Sequence, residues 1–175
     1  IVRDWFLRAS KLIAMADGSG IDVSVMTYNM HGMNQGRVLL TEICAKGSVD
    51  VILLQEHWLA SKALQQFEAI SDNYSHVAVS SMDSSLCNAL LTGRPYGGLA
   101  IMYRKQLAKE VKIISTGERM IAVTIGTLLL INVYFPNTSR TDYKDVCLDI
   151  LSDIDSIIST CDAKSVLIGG DFNCN

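Results

Sequence analysis

Val166-Leu167-Ile168 runs into Gly169-Gly170-Asp171-Phe172-Asn173-Cys174-Asn175, and the reading of that stretch decides the fold. Three apolar residues in a row suit a buried strand. Gly169-Gly170 is expected to end it, which places Asp171 just past the strand's C-terminal end. Backbone can turn sharply at such a point and a ligand can come close to it. Open α/β sheets hold their ligands at that edge. The rest of the chain is therefore read for partners of Asp171.

Upstream, Tyr143, Val146, Cys147, Ile150, Leu151, Ile154, Ile157 and Ile158 recur at three- and four-residue steps. That spacing predicts a helix over 142–159 with Thr141 and Asp142 at its start. Before it, 111–115, 120–125 and 128–134 read as strands joined by Thr116-Gly117-Glu118 and Gly126-Thr127. Links that short require antiparallel pairing. Leu99-Ala100-Ile101-Met102-Tyr103 and His76-Val77-Ala78-Val79 are two further strands, separated by a polar loop over 80–95 that suggests mobility or binding.

The first third has the form strand, helix, strand, as in a crossover unit. Val23 to Tyr28 alternates as a strand and leads to Asn29-Met30-His31-Gly32. Val38, Leu39, Ile43 and Cys44 have helical spacing, with Gly47 as the stop. Asp50-Val51-Ile52-Leu53-Leu54 is an apolar strand followed by Gln55-Glu56-His57-Trp58. If the two strands are parallel, Asn29 and Glu56 share one edge. A short helix fits 61–70, with Leu64, Phe67 and Ile70 on one side.

Composition bounds the rest. The 175 residues suggest one domain, and 49% apolar content supports a sizeable core. Asp17-Gly18-Ser19-Gly20 reads as a joint, so residues 1–20 are an N-terminal extension of flexible or helical character, and 21–175 form the domain. A net charge of −3 advertises no overall basic field, although a local basic patch can exist on an acidic chain. Five cysteines without a C-x-x-C pair fit a reduced, intracellular chain with no zinc site. Charges interrupt the apolar run over 5–13, so it makes no signal-peptide core, and no apolar run approaches a membrane span.

The polar residues just past strands are Asn29, Glu56, Tyr134 with Asn137, and Asp171 with Asn173. Each has an ordinary structural reading: a turn former, a surface loop, a half-buried aromatic, a cap. Together they suit different chemistry. Two carboxylates with amides nearby fit a hard cation such as magnesium. An Asp and an Asn one residue apart can hold an attacking water. Tyr, Asn and Arg past one strand can donate to phosphate oxygens.

Four stretches carry a resemblance: 27–32 (Thr-Tyr-Asn-Met-His-Gly), 53–59 (Leu-Leu-Gln-Glu-His-Trp-Leu), 131–137 (Ile-Asn-Val-Tyr-Phe-Pro-Asn) and 168–173 (Ile-Gly-Gly-Asp-Phe-Asn). In this order they resemble successive motifs of the endonuclease/exonuclease/phosphatase family, over about Ile21 to Asn175. Gly97-Gly98-Leu99-Ala100-Ile101 and the Tyr-Phe-Pro-Asn form are most similar to the apurinic-type endonuclease domain of LINE-like retrotransposons. The resemblance implies a four-layer α/β sandwich of the DNase I type, incomplete at the C-terminus. It implies Mg2+-dependent (or Mn2+-dependent) phosphodiester cleavage in DNA; no membrane and no stable protein partner is implied. Glu56 would bind the metal and Asn29 would support it. Tyr134 would contact the scissile phosphate. Asp171 would orient the water with Asn173 beside it. Asn137 and Arg140 would hold the DNA backbone, and Arg119 is a structural or site-supporting residue. A retroelement enzyme would act in the nucleus at least transiently.

The family's catalytic histidine comes from a Ser-Asp-His-like motif near the domain's end, which this sequence lacks. Two expectations follow: the chain alone is inactive or nearly so, and the first sheet's inner face lacks its packing partner. Two rivals stand beside the endonuclease reading. One is a phosphatase or phosphodiesterase acting on an inositol phosphate or phospholipid, for which the 80–95 loop lacks dense Lys/Arg. The other is a non-catalytic remnant that binds nucleic acid or protein.

Overall fold

A computed structural model describes residues 9–10, 23–82, 86–87, 90–91 and 95–173. Expectations for 1–8, 11–22 and, within the 80–95 loop, 83–85, 88–89 and 92–94 lie outside the described residues. Ala9 and Ser10, expected in a flexible or helical stretch, form a two-residue strand β1 against Met26 and Val25.

The first sheet grows from the crossover. Strand β2 (Val25–Asn29), helix α1 (Met33–Lys46) and strand β3 (Val51–Gln55) follow one another, and β2 and β3 are parallel. Helix α1 starts one turn earlier than its apolar spacing indicates, and Gly47 closes it as expected. The short helix expected over 61–70 is a 3-10 helix, Ser61–Phe67, with turns closed by bonds to the third residue back. It still buries Phe67, so the apolar side survives the change of pitch. Strand β4 (Tyr74–Val79) follows. A small hairpin, β5 (Leu86–Cys87) with β6 (Leu90–Leu91), lies in the loop. Strand β7 (Leu99–Arg104) then enters between β3 and β4, antiparallel to both, giving the order β1-β2-β3-β7-β4.

The second sheet is β8 (Val111–Thr116), β9 (Met120–Ile125), β10 (Leu128–Tyr134) and β11 (Ser165–Asp171), in the order β11-β10-β9-β8. The short links make β8, β9 and β10 antiparallel, as predicted. Helix α2 (Tyr143–Thr160) carries the chain back so that β11 runs parallel to β10.

Three apolar cores stack these elements into four layers. Val51, Leu53, Leu99 and Ile101 of the first sheet face Ile121, Val123, Leu128 and Leu130 of the second. Leu40, Ile43 and Cys44 of α1 cover the outer face of the first sheet beside Ile52 and Leu54. Ile150 and Ile154 of α2 cover Leu129, Ile131 and Val133 of β10. Leu53, Leu99 and Ile101 are essentially inaccessible, and each such side chain stabilises by about 1.5–3 kcal/mol. The expectation of an uncovered inner face is therefore corrected: β8 to β11 supply the partner. Exposed apolar residues lie elsewhere, among them Ile113 and Ile114 of β8, Val166 and Ile168 of β11, and Leu148, Leu151 and Ile158 of α2. Leu151 and Ile158 share the helical spacing but fall outside the buried stripe. Among the described residues no helix is long and apolar enough to cross a membrane.

A second correction concerns the two glycines, which do not end β11. The strand continues through them to Asp171, with Gly169 opposite Asn132, Gly170 opposite Val133 and Asp171 opposite Tyr134. Gly170 has φ 142, and a Cβ there would lie 2.0 Å from the carbonyl oxygen of Val133. One at Gly169 would lie 2.7 Å from Leu53 of the opposing sheet. Glycine is required here because neighbouring chains come too close for a side chain.

Candidate active site

Two parallel strand pairs, one in each sheet, end at the same rim. β2 and β3 pair Asn29 with Gln55, which puts Glu56 one residue further along. β10 and β11 pair Tyr134 with Asp171. Packing the sheets face to face brings the two ends together. The Asn29 Nδ2 amide donates to Glu56 Oε1 at 3.1 Å and to Asp171 Oδ2 at 2.8 Å. The Tyr134 hydroxyl donates to the same Glu56 Oε1 at 2.9 Å. His31 Nδ1 lies 3.3 Å from Glu56 Oε2. A single amide thus joins carboxylates from both sheets.

Each member is itself held in place. Asn29 Oδ1 accepts the His31 N–H at 3.1 Å, so its amide is turned with the nitrogen toward the carboxylates. Asp171 Oδ1 accepts the Asn173 N–H at 3.0 Å. The Arg119 guanidinium sits 5.1 Å from the centre of the Tyr134 ring, and the Arg119 carbonyl accepts the Tyr134 N–H at 2.9 Å. A cation over an aromatic face is attractive, so Arg119 supports Tyr134. Burial, and then the Glu56 charge, raise the Tyr134 pKa well above its ordinary value. Its hydroxyl therefore stays protonated and remains a donor across working pH.

Backbone strain gathers here. Among the described residues, those other than glycine with positive φ are His31, Glu56, Trp58 and Asn173. Such conformations are uncommon and persist where surrounding structure imposes them. His57 does part of that work. Its ring is inaccessible to solvent, with Nε2 at 3.0 Å from the Val79 carbonyl and Nδ1 accepting the Leu59 N–H at 3.0 Å. Nε2 therefore carries the proton. Desolvation lowers the His57 pKa to about 4, against weaker opposing hydrogen bonds, so the ring is a neutral clamp on the Glu56 loop.

A second polar cluster lies one residue back along β3 and two back along β10. Gln55 Nε2 donates to Asn132 Oδ1 at 2.7 Å, and Asn132 Nδ2 donates to the carbonyls of Leu54 and Ala100, both at 2.9 Å. Both side chains are buried and joined across the two sheets. Sequence reading did not single them out. The available signal was one amide inside each of the runs Leu53-Leu54-Gln55 and Ile131-Asn132-Val133, where apolar residues are the norm.

The structure thus brings together Asn29, Glu56, Tyr134 and Asp171. The other sequence-derived candidates sit differently. The Asn173 side chain turns away and donates to the Phe135 carbonyl at 2.8 Å, so only its backbone N–H serves Asp171. Asn137 is exposed and its Oδ1 caps the Ser139 N–H at 2.9 Å. Arg140 makes a two-pronged pair with Asp142, at 2.8 and 2.6 Å. That pair also explains why Asp142 does not cap α2 with its side chain.

The donor set fits a hard cation. Glu56 and Asp171 offer carboxylate oxygens, and the Arg–carboxylate pairs among the described residues are Arg104–Asp50 and Arg140–Asp142, which leave them aside. Among the described residues no three His, Cys, Asp or Glu side chains converge as a ready-made cage. Magnesium is commonly held by one or two carboxylates while keeping several waters.

Comparison with known proteins agrees with this architecture. Residues 26–175 match the sequence profile described as the endonuclease/exonuclease/phosphatase family. No curated protein matches. An AP endonuclease from Archaeoglobus fulgidus superposes with a TM-score of 0.63 at 17% identity, over 85% of this chain and 56% of that one. A 3′ phosphatase from Neisseria, solved with product DNA hairpin, gives 0.58 at 19% identity, over 85% and 57%. TDP2 from Caenorhabditis elegans gives 0.55 at 21% identity, over 87% and 48%. At these identities the likeness is one of fold. The chain spans about half the length of the solved structures it matches.

Proposed function

The chain belongs to the endonuclease/exonuclease/phosphatase family, and from that premise we propose that its strand-end rim is the carboxylate part of a Mg2+-dependent phosphodiesterase site acting on DNA. One observation carries the reading. Asn29 bridges Glu56 and Asp171, although 142 residues separate Asn29 from Asp171 along the chain. Two carboxylates brought onto one amide favour a cation between or beside them.

In this reading Glu56 holds the metal with support from Asn29. The bound ion would neutralise phosphate charge and stabilise the leaving oxygen. Asp171, fixed by Asn29 on one oxygen and by the Asn173 N–H on the other, orients the water that attacks phosphorus. Tyr134 is a neutral donor beside Glu56, placed to pass its hydrogen bond to a phosphate oxygen once substrate arrives. Asn137 and Arg140, on the exposed turn after β10, contact flanking phosphates, Arg140 by exchanging Asp142 for the DNA backbone. The Tyr134-Phe135-Pro136-Asn137 and Gly97-Gly98 forms favour, within this class, a retroelement endonuclease that nicks target DNA. Residues 21–175 would then be the N-terminal part of that domain.

The test has two parts. Mn2+ titrated into the chain should bind, and Glu56→Gln should weaken it at least tenfold. The complete polypeptide that carries residues 1–175 should nick supercoiled plasmid with Mg2+, and Asp171→Asn should abolish nicking. DNA binding that ignores metal and survives Glu56→Ala and Asp171→Ala would overturn the reading in favour of a non-catalytic binding module. A reverse transcriptase in the downstream frame would support the retroelement assignment.

A further inference from the structure

The loop that carries Glu56 continues into Trp58, whose backbone is left-handed at φ 57. For a bulky aromatic this is a genuine outlier that the surroundings must impose. Two contacts impose it. The Trp58 N–H donates to the Gly97 carbonyl at 3.0 Å. The indole lies against Gly32, where a Cβ would come within 2.5 Å of its Cε3. The result is a half-buried indole fixed in orientation at the edge of the carboxylate cluster.

Trp58 lines a cleft of about 260 Å³ with His31, Asn34, Gln35, Gln66 and Pro95. His31 belongs to both places. Its ring meets the Trp58 ring edge-on at 6.3 Å, and its Nδ1 lies 3.3 Å from Glu56 Oε2. Among the described residues, none of the lining side chains is Lys, Arg, Asp or Glu. Its walls combine π surface, imidazole and three primary amides with the apolar side chains of Met33, Leu59 and Pro95.

We propose that this cleft receives a nucleobase adjoining the scissile phosphate, with Trp58 as its stacking platform. The proposal rests on the DNA phosphodiesterase reading of the neighbouring rim. Every base has a π face, and stacking on an aromatic side chain is tolerant of sequence. Asn and Gln offer both donors and acceptors to the edge of a base. The volume falls just below the roughly 300–1,000 Å³ of pockets for drug-sized ligands, which suits one ring system. An inositol phosphate has no π face to stack on Trp58.

The test is fluorescence of Trp58. Of the two tryptophans, Trp5 is replaced (Trp5→Phe), leaving Trp58 as the sole emitter. A short mixed-sequence single-stranded DNA should quench it, and an abasic oligonucleotide of the same length should not. Trp58→Ala should weaken binding of the base-bearing oligonucleotide about tenfold or more, whereas Trp58→Phe, which keeps a ring and guards against misfolding, should retain most of it. Equal quenching by the abasic strand or by a phosphorylated peptide, or no quenching by either DNA, overturns the proposal. Base-dependent quenching without any metal binding or nicking leaves the cleft standing and removes the hydrolytic reading. Metal-dependent nicking without quenching does the reverse.

Discussion

Two polar clusters join the sheets of this protein, and they are built on opposite principles. In the deeper one, Gln55 and Asn132 are buried; Gln55 donates to the Asn132 amide oxygen and the Leu53 carbonyl, and Asn132 donates to the carbonyls of Leu54 and Ala100. In the upper one, Glu56 and Asp171 bring like charges onto a single Asn29 amide, at a rim that solvent still reaches. The deeper cluster is neutral and saturated, so it serves to register one sheet on the other. The upper cluster gathers two carboxylates at an accessible rim, and in the proposed function a cation would be held there. Polar residues at neighbouring positions of the same strands thus differ in charge and exposure, with buried amides below and partly accessible carboxylates above.

Substitutions should separate the two. The largest effect belongs to the rim: in the complete polypeptide, Asp171→Asn or Glu56→Gln should lower plasmid nicking by about a thousandfold or more. The same variants should melt at or slightly above the parent temperature, because a like-charge repulsion is removed. Loss of stability instead would make the rim a structural cluster.

Gly170→Ala should be the most destabilising small change, about 3 kcal/mol or more, since its Cβ would meet the Val133 carbonyl and φ is unfavourable. A urea melt reads it, and a neutral result would mean that β11 is not seated against β10. Asn132→Leu should cost about 3 kcal/mol by stranding Gln55 and two backbone carbonyls. Adding Gln55→Leu should recover part of that loss, and simple additivity in the double variant would deny the clasp.

His57 makes a smaller, pH-dependent prediction. Its folded pKa of about 4 lies below the ordinary 6.5, so the unfolded chain takes up its proton first on acidification. The stability from the neutral clamp is fully present above pH 6.5 and is lost as pH falls toward 4. The decline should reach about 2 kcal/mol by pH 5. His57→Gln should flatten that part of the profile in denaturant melts at stepped pH. Smallest of all, Arg140→Ala should leave the melting midpoint unchanged, because its pair with Asp142 is exposed. In the proposed function it should still weaken DNA binding.

Much of this was legible in order along the chain. Three-residue and four-residue spacing located α2, short links set β8, β9 and β10 antiparallel, and the strand-helix-strand form made β2 and β3 parallel neighbours. Those are local rules, and local residues obey them. The 3-10 pitch of Ser61–Phe67 and the exposure of Leu151 and Ile158 were not legible, because each depends on what packs alongside.

By itself, the sequence determined which side chains stand at strand ends: Asn29, Glu56, Tyr134 and Asp171. Strand direction and periodicity follow from short-range sterics and the burial of apolar faces. Only the tertiary structure decided that these four meet, that Asn137, Arg140 and the Asn173 amide turn elsewhere, and that Gly169 and Gly170 serve close packing within β11. Each of those outcomes depends on the distance between groups remote in the chain, which is set when one sheet closes on the other.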